Sequence, residues 1–230
     1  MALVFLSALA AGVFRHHLFA GYTFPWDFAS GFGRVPVFVT STFGSGRFTE
    51  WNPFGAGGMP IAWNLQAGLY FPLWWLMGLL HVPATVWVVT FVQVLHVVFG
   101  AFGVYLLARA RGIAWPWPLV AAVPYLFFGG YYGSAEHADI FRGIAYAPWI
   151  LWALTLPRDG RPWRRPLALP LLTWILATGA YPGQLVAFGL VAPVYAAMEL
   201  WMGRRNHRIT RTLGLVASVA VSSGAAVAAV

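Results

Sequence analysis

Residues 84–108 run for 25 positions without an Asp, Glu, Arg or Lys. As a helix rising about 1.5 Å per residue, that stretch is about 37 Å long, enough to cross a bilayer core with some tilt. It offers no polar face to water, so it must be buried in protein or in lipid. The rest of the chain cannot build a charged shell around it. Only 9% of the 230 residues are charged and 60% are hydrophobic, where a soluble domain carries about 25% charged residues. A water-soluble globule and a disordered chain are therefore excluded. With no cysteine, so is a disulfide scaffold.

Seven segments have the length and apolarity of a span or nearly so: 1–19, 84–108, 117–133, 140–157, 166–182, 184–202 and 212–230. Arginines punctuate them. Arg109 and Arg111 follow the second segment, Arg158, Arg161, Arg164 and Arg165 the fourth, and Arg204, Arg205, Arg208 and Arg211 the sixth. With a cytoplasmic N-terminus these ten of the 14 arginines fall on the inner side, as the positive-inside rule requires. The net charge of +8 thus reads as membrane topology. Nucleic-acid binding is excluded, because that needs a basic patch on one face of a soluble fold. Arg15, His16 and His17 lie after the first apolar stretch, opposite to a signal peptide, so the first segment reads as a retained span. Val230 falls inside an apolar run, and the chain is expected to be the N-terminal part of a longer protein. The expected fold is all-α: a single domain over 1–230, a polytopic bundle of about seven spans.

Residues 20–83 do not fit this rhythm. They are too long for a connection and rich in glycine, proline and aromatic residues. Trp26, Trp51, Trp63, Trp74 and Trp75 suit the headgroup level. The apolar run 71–82 is too short to span and reads as an interfacial or re-entrant helix. The loop is expected on the outer side, carrying interfacial helices and folded over the bundle.

Its motifs carry a resemblance. Asp27 in an outer loop is followed by Trp51-Asn52-Pro53 with Gly58 and Pro60, then by Gln66 with Gly68, Pro72 and Leu73. This pattern is similar to bacterial YfhO-type membrane proteins, placed with the GT-C class of polyprenyl-phosphate-sugar-dependent glycosyltransferases. The resemblance covers most of the chain and is specific over about residues 22–73. It implies transfer of a sugar from a polyprenyl-phosphate carrier to a cell-envelope glycopolymer, lipid or protein at the outer face. It also implies a catalytic acid-base group in the first outer loop, and Asp27 is the matching position. One carboxylate suffices as general base, because polyprenyl phosphate is already a good leaving group. The implied substrate-binding set is Arg34, Arg47, Glu50, Trp51, Asn52, Gln66, His137 and Arg142, with the arginines on phosphate. Some GT-C enzymes use a divalent cation, and Glu136, His137 and Asp139 are the candidate ligands.

Plainer roles stand beside these. Asp27 suits a helix cap, Asn52-Pro53 a turn, and Glu136–Asp139 a polar outer turn. His16, His17 and His81 read as interfacial side chains. Gln93 and His96 lie within the second span, where His96 reads as a packing residue. Gln184, after the Pro182-Gly183 turn, is a further substrate contact to test. Glu199 is expected to pair with Arg204 or Arg205. No Walker-type motif, Cys-based site or GxSxG elbow is present. The alternatives to a transferase are a transporter or lipid flippase, and a non-catalytic membrane scaffold or family fragment. A transporter calls for polar residues at mid-bilayer in repeated broken helices. Here the polar residues gather at the outer interface and no repeat is visible.

Overall fold

A computed structural model describes residues 1–48, 50–54, 57–62, 64–155 and 168–204. The expected seventh span, Gly55, Trp63, Asp159 and the arginines Arg158, Arg161, Arg164, Arg165, Arg205, Arg208 and Arg211 lie outside the described residues. The protein is all-α in character, with 72% of the described chain helical.

The helices are α1 (Ala2–Val13), α2 (Arg15–Phe19), α3 (Arg34–Gly44), α4 (Pro72–Leu79), α5 (Val86–Ala110), α6 (Trp117–Leu126), α7 (Gly129–Gly133), α8 (Ala138–Leu154), α9 (Ala168–Gly179) and α10 (Pro182–Arg204). A π-helical turn covers Phe28–Phe32, and a 3-10 turn covers Leu65–Ala67. A two-stranded antiparallel ladder, β1 (Trp51–Asn52) with β2 (Met59–Pro60), pairs Trp51 with Pro60 and Asn52 with Met59.

The helix α5 is the centre. Its start is set by Thr85, whose hydroxyl accepts from Val88 N at 3.2 Å. Its end is set by Gly112, at φ +78°, where Ile113 N returns to Ala108 O at 3.2 Å. Helix α8 lies along it, with α6 and α1 also packed against it. Small residues let α5 and α8 approach closely: Ala101 and Ala145 are fully buried, and Gly100 faces the Ala145 backbone. A second apolar cluster joins the C-terminal half of α8 to α9 and α10 through Ile150, Leu154, Leu172 and Leu176.

Among the described residues, α5 is the one helix long and apolar enough to cross a membrane. The apolar helices α1 and α9 have 12 residues each. The segment 117–133, expected as one span, breaks into α6 and α7 at Phe127–Phe128. The cause is local. Pro124 has no N–H for the helix ladder, and Gly129-Gly130 follow at once. Within 20–83, α4 matches the short helix expected over 71–82, with Pro72 in its first turn. Helix α3 packs against it.

Candidate functional site

The Asp27 segment is held by aromatic anchors on either side. Phe24 and Phe28 are buried, stand edge-to-face at 5.4 Å, and Phe24 meets Phe141 of α8 at 5.5 Å. With those rings inside, Trp26 and Asp27 are turned outward. Trp26 has φ +54° and is 81% exposed, a conformation that costs a bulky residue energy. Asp27 stands at the N-cap of the π-helical turn, but its carboxylate makes no capping bond. The turn closes through Gly33, whose N–H bonds Phe28 O at 2.7 Å. A Cβ at Gly33 would come within 2.8 Å of that same oxygen, so only glycine fits. Arg34 then opens α3 and donates through Nε to Ala29 O at 3.0 Å. The side chain is otherwise exposed.

Two adjoining hollows, of about 290 and 510 Å³, share Ser30, Gly31, Val35, Asn52 and Met59 as their common wall. Asp27 and Asn64 line the smaller one. Arg34, Ser41 and the apolar Phe38 and Phe54 line the larger. Asn52 reaches both because the β1–β2 ladder presents it there. Its Oδ1 accepts Phe54 N at 3.0 Å, which stiffens the turn. Trp51 packs on Gly58, at φ +110°, where a Cβ would lie 2.8 Å from the indole. The groove therefore combines a free carboxylate, a guanidinium, an amide and an apolar wall.

The remaining candidates are distributed differently. Glu50 is exposed and accepts from the Tyr70 hydroxyl at 3.1 Å. Partial burial, with the Glu50 hydrogen bond and charge, pushes the Tyr70 phenol above its ordinary value of 10.0. Arg47 is exposed, with Nε 3.4 Å from Ser45 Oγ, and lines neither hollow. Gln66 turns away from the groove and donates through Nε2 to Asp139 Oδ2 at 3.0 Å. Arg142, expected on an outer surface, is buried instead at 2% exposure. Its Nε donates to Gly179 O, its Nη2 lies 3.5 Å from Gln66 O, and its guanidinium sits 5.1 Å from the centre of the Phe71 ring. The physical reason is that α8 starts at Ala138 and carries Arg142 inward beneath the 64–71 segment. A guanidinium there satisfies two backbone carbonyls that helix ends and loops leave open.

Asp139, expected in an exposed polar turn, is also wholly buried, in the first turn of α8. Glu136 and His137 stay together, at 3.8 Å. Among the described residues no three His, Asp or Glu converge as a metal-binding group. Gln184 donates to Ile140 O at 3.1 Å and rests against Gly143, a helix-packing role. His96 bonds Val92 O of its own helix at 2.7 Å and packs beside Phe71 and Tyr146. Glu199 pairs with Arg111, just past the end of α5, because α10 folds back beside the α5 C-terminus; the expected partners, the Arg204 side chain and Arg205, lie outside the described residues. Tyr195 joins them, accepting from Arg111 Nη2 at 2.8 Å and lying 2.8 Å from Thr155 Oγ1. Ser30 and Asn64 are groove residues that no motif signalled; they are common polar types in a loop, and only tertiary placement gives them meaning.

No family model, curated protein or solved structure matches the chain.

Proposed function

We propose that the chain is a polytopic membrane glycosyltransferase of GT-C type, a seven-span bundle with a cytoplasmic N-terminus and the 20–83 loop on the outer side. It takes a sugar from a polyprenyl-phosphate carrier and passes it to a cell-envelope acceptor. One observation carries this reading: Asp27, Arg34 and Asn52 line two adjoining lobes of a single groove. The charge-free run 84–108, which forms most of α5, and the arginine distribution support the membrane setting.

In this reading the acceptor hydroxyl and the sugar occupy the Asp27 lobe. Asp27 takes the hydroxyl proton as the acceptor oxygen bonds the anomeric carbon. The bond from that carbon to the phosphate oxygen breaks, and the lipid phosphate leaves with the electron pair. Arg34 neutralises the phosphate through its exposed guanidinium. The apolar side of the larger lobe, with Phe38 and Phe54, takes the first carbons of the lipid. Asn52, on the shared wall, orients the phosphate or the sugar hydroxyls.

Among the described residues a divalent cation would find one carboxylate in the groove, Asp27, and would need substrate phosphate oxygens to complete its shell. Hard cations require several oxygen ligands. The groove offers one carboxylate, and the Oδ1 atoms of Asn52 and Asn64 already accept Phe54 N and Gln66 N. No step is therefore assigned to a metal.

The test is sugar transfer in membranes containing the protein, with a panel of polyprenyl-phosphate sugars. Asp27→Asn keeps the side-chain size and removes the base, and is expected to lose about two to four powers of ten in rate at equal abundance. Full activity in Asp27→Asn refutes the assignment of the base. No transfer from any donor by the native protein refutes the enzyme reading and favours transport or scaffolding.

A further inference from the structure

One tie between the groove's inner wall and the helix bundle runs through Gln66. Gln66, 73 residues before Asp139 in sequence, reaches it with a 3.0 Å hydrogen bond. The same residue's backbone is held on both sides. Its N–H bonds Asn64 Oδ1 at 3.1 Å, and its carbonyl faces Arg142 Nη2 at 3.5 Å. Ala67 N closes the turn onto Asn64 O at 2.9 Å. Asn64 and Ala67 are groove-lining residues. Gly68 follows at φ +68°, and a Cβ there would lie 3.3 Å from Arg142 Nη2 and 3.5 Å from Trp74 Nε1. Asp139 is 0% exposed and Arg142 2% exposed, one turn apart on α8.

Burying a carboxylate and a guanidinium is costly unless they do bonding work. Here Asp139 serves one loop turn, and Arg142 is shared between that turn and the end of α9. Asp139 accepts from the Gln66 side chain, and Arg142 donates to Gly179 O and reaches Gln66 O at 3.5 Å. We propose that Asp139 is a positioning residue: through Gln66 it latches the 64–68 turn onto α8 and so sets the shape of the Asp27 lobe. The inference deepens the transferase reading and rests on it for the use of the groove, while the latch itself is a matter of geometry.

The chain has no cysteine, so a single introduced thiol reports on one position. Ala67→Cys places a thiol in the groove wall, where Ala67 is 6% exposed. Ala196→Cys places one in the second apolar cluster, far along the chain, as a control for global folding. Both are read as modification rates by a membrane-impermeant maleimide and a small permeant one, on the protein in its membrane. Each reporter is combined with Gln66→Ala, Asp139→Ala, the double variant and Asp139→Asn, which keeps an acceptor oxygen for Gln66.

A latch predicts that Gln66→Ala and Asp139→Ala each speed modification at position 67 roughly tenfold or more, the scale of a lost hydrogen bond to a charged group. The double variant is expected to go no further than the singles, since both remove the same bond. Asp139→Asn is expected to restore slow modification, and position 196 to stay protected throughout. Additive effects in the double variant, or an unchanged rate at position 67 in Gln66→Ala, overturn the proposal. Where Asp139→Ala also exposes position 196, the loop-side variant Gln66→Ala decides alone, because it leaves the α8 core untouched. These rates do not depend on turnover. Unchanged rates at position 67 with transfer intact sink this inference alone; absent transfer with the predicted rate changes sinks the transferase reading alone.

Discussion

Gly100 gives the sharpest test of how α5 and α8 are packed. Intrinsic propensity says that glycine to alanine inside a helix should stabilise by up to about 1 kcal/mol. The structure predicts the reverse at this position. A Cβ on Gly100 would lie 3.1 Å from the Ala145 Cα and 3.1 Å from Tyr125 Cε1, and closer still to the Tyr131 hydroxyl. Ala145 offers backbone, which cannot swing aside. Tyr131 is fully buried and its ring is fixed 5.0 Å from Phe141. Overpacking of this kind costs about 1–3 kcal/mol. Setting the propensity gain against it leaves Gly100→Ala neutral to about 2 kcal/mol less stable. Gly12 and Gly189, helical glycines with nothing within 4 Å of a built Cβ, supply the reference. Gly12→Ala and Gly189→Ala are expected to be neutral or stabilising by up to about 1 kcal/mol. The assay is reversible unfolding of the purified protein in detergent, followed by tryptophan fluorescence, for the three variants side by side. Gly100→Ala as stable as Gly189→Ala refutes the close α5–α8 approach.

Other outcomes follow from the same geometry. Gly68→Ala is expected to destabilise by about 1–2 kcal/mol from its left-handed backbone alone, with more from crowding Arg142, read in the same unfolding assay. Arg142→Met, which keeps length and apolar stem but loses the bonds to Gly179 and Gln66, should destabilise by about 2–4 kcal/mol; a neutral result contradicts its structural role. Glu199→Gln retains an acceptor for Arg111, so it should cost less than Glu199→Ala in the unfolding midpoint. For Tyr70 the folded phenol is raised above 10.0, so its bond to Glu50 contributes fully below that pH and is lost as pH rises through the higher folded value. Alkaline unfolding of Tyr70→Phe should therefore lack that part of the pH dependence, and an identical alkaline profile speaks against the pair.

Features set by local physics are legible in the residues alone. The charge-free run gave α5 to within two residues at each end, 86–110 against 84–108. Pro72 and the short apolar run gave α4, and the Pro182-Gly183 turn separated α9 from α10. Hydropathy, proline and capping act within a turn or two of chain, so they are legible without neighbours. The break at Phe127–Phe128 was also local, in Pro124 and Gly129-Gly130, but a hydropathy window averages over such a break.

Which polar residues meet is set by packing between segments distant in the chain. Asp27, Arg34, Asn52 and Asn64 line one groove because the β1–β2 ladder and the 64–68 turn fold back over the π-helical turn. Arg34 and Arg142 are the same residue type, both read from sequence as phosphate ligands; one is exposed at the groove and the other is buried under the loop. Nothing within a few residues of either distinguishes them. Their difference comes from which face of a helix another element happens to cover, and that is settled by the packing of distant segments: Gln66 on Asp139, Arg111 on Glu199, Thr23 on Thr90.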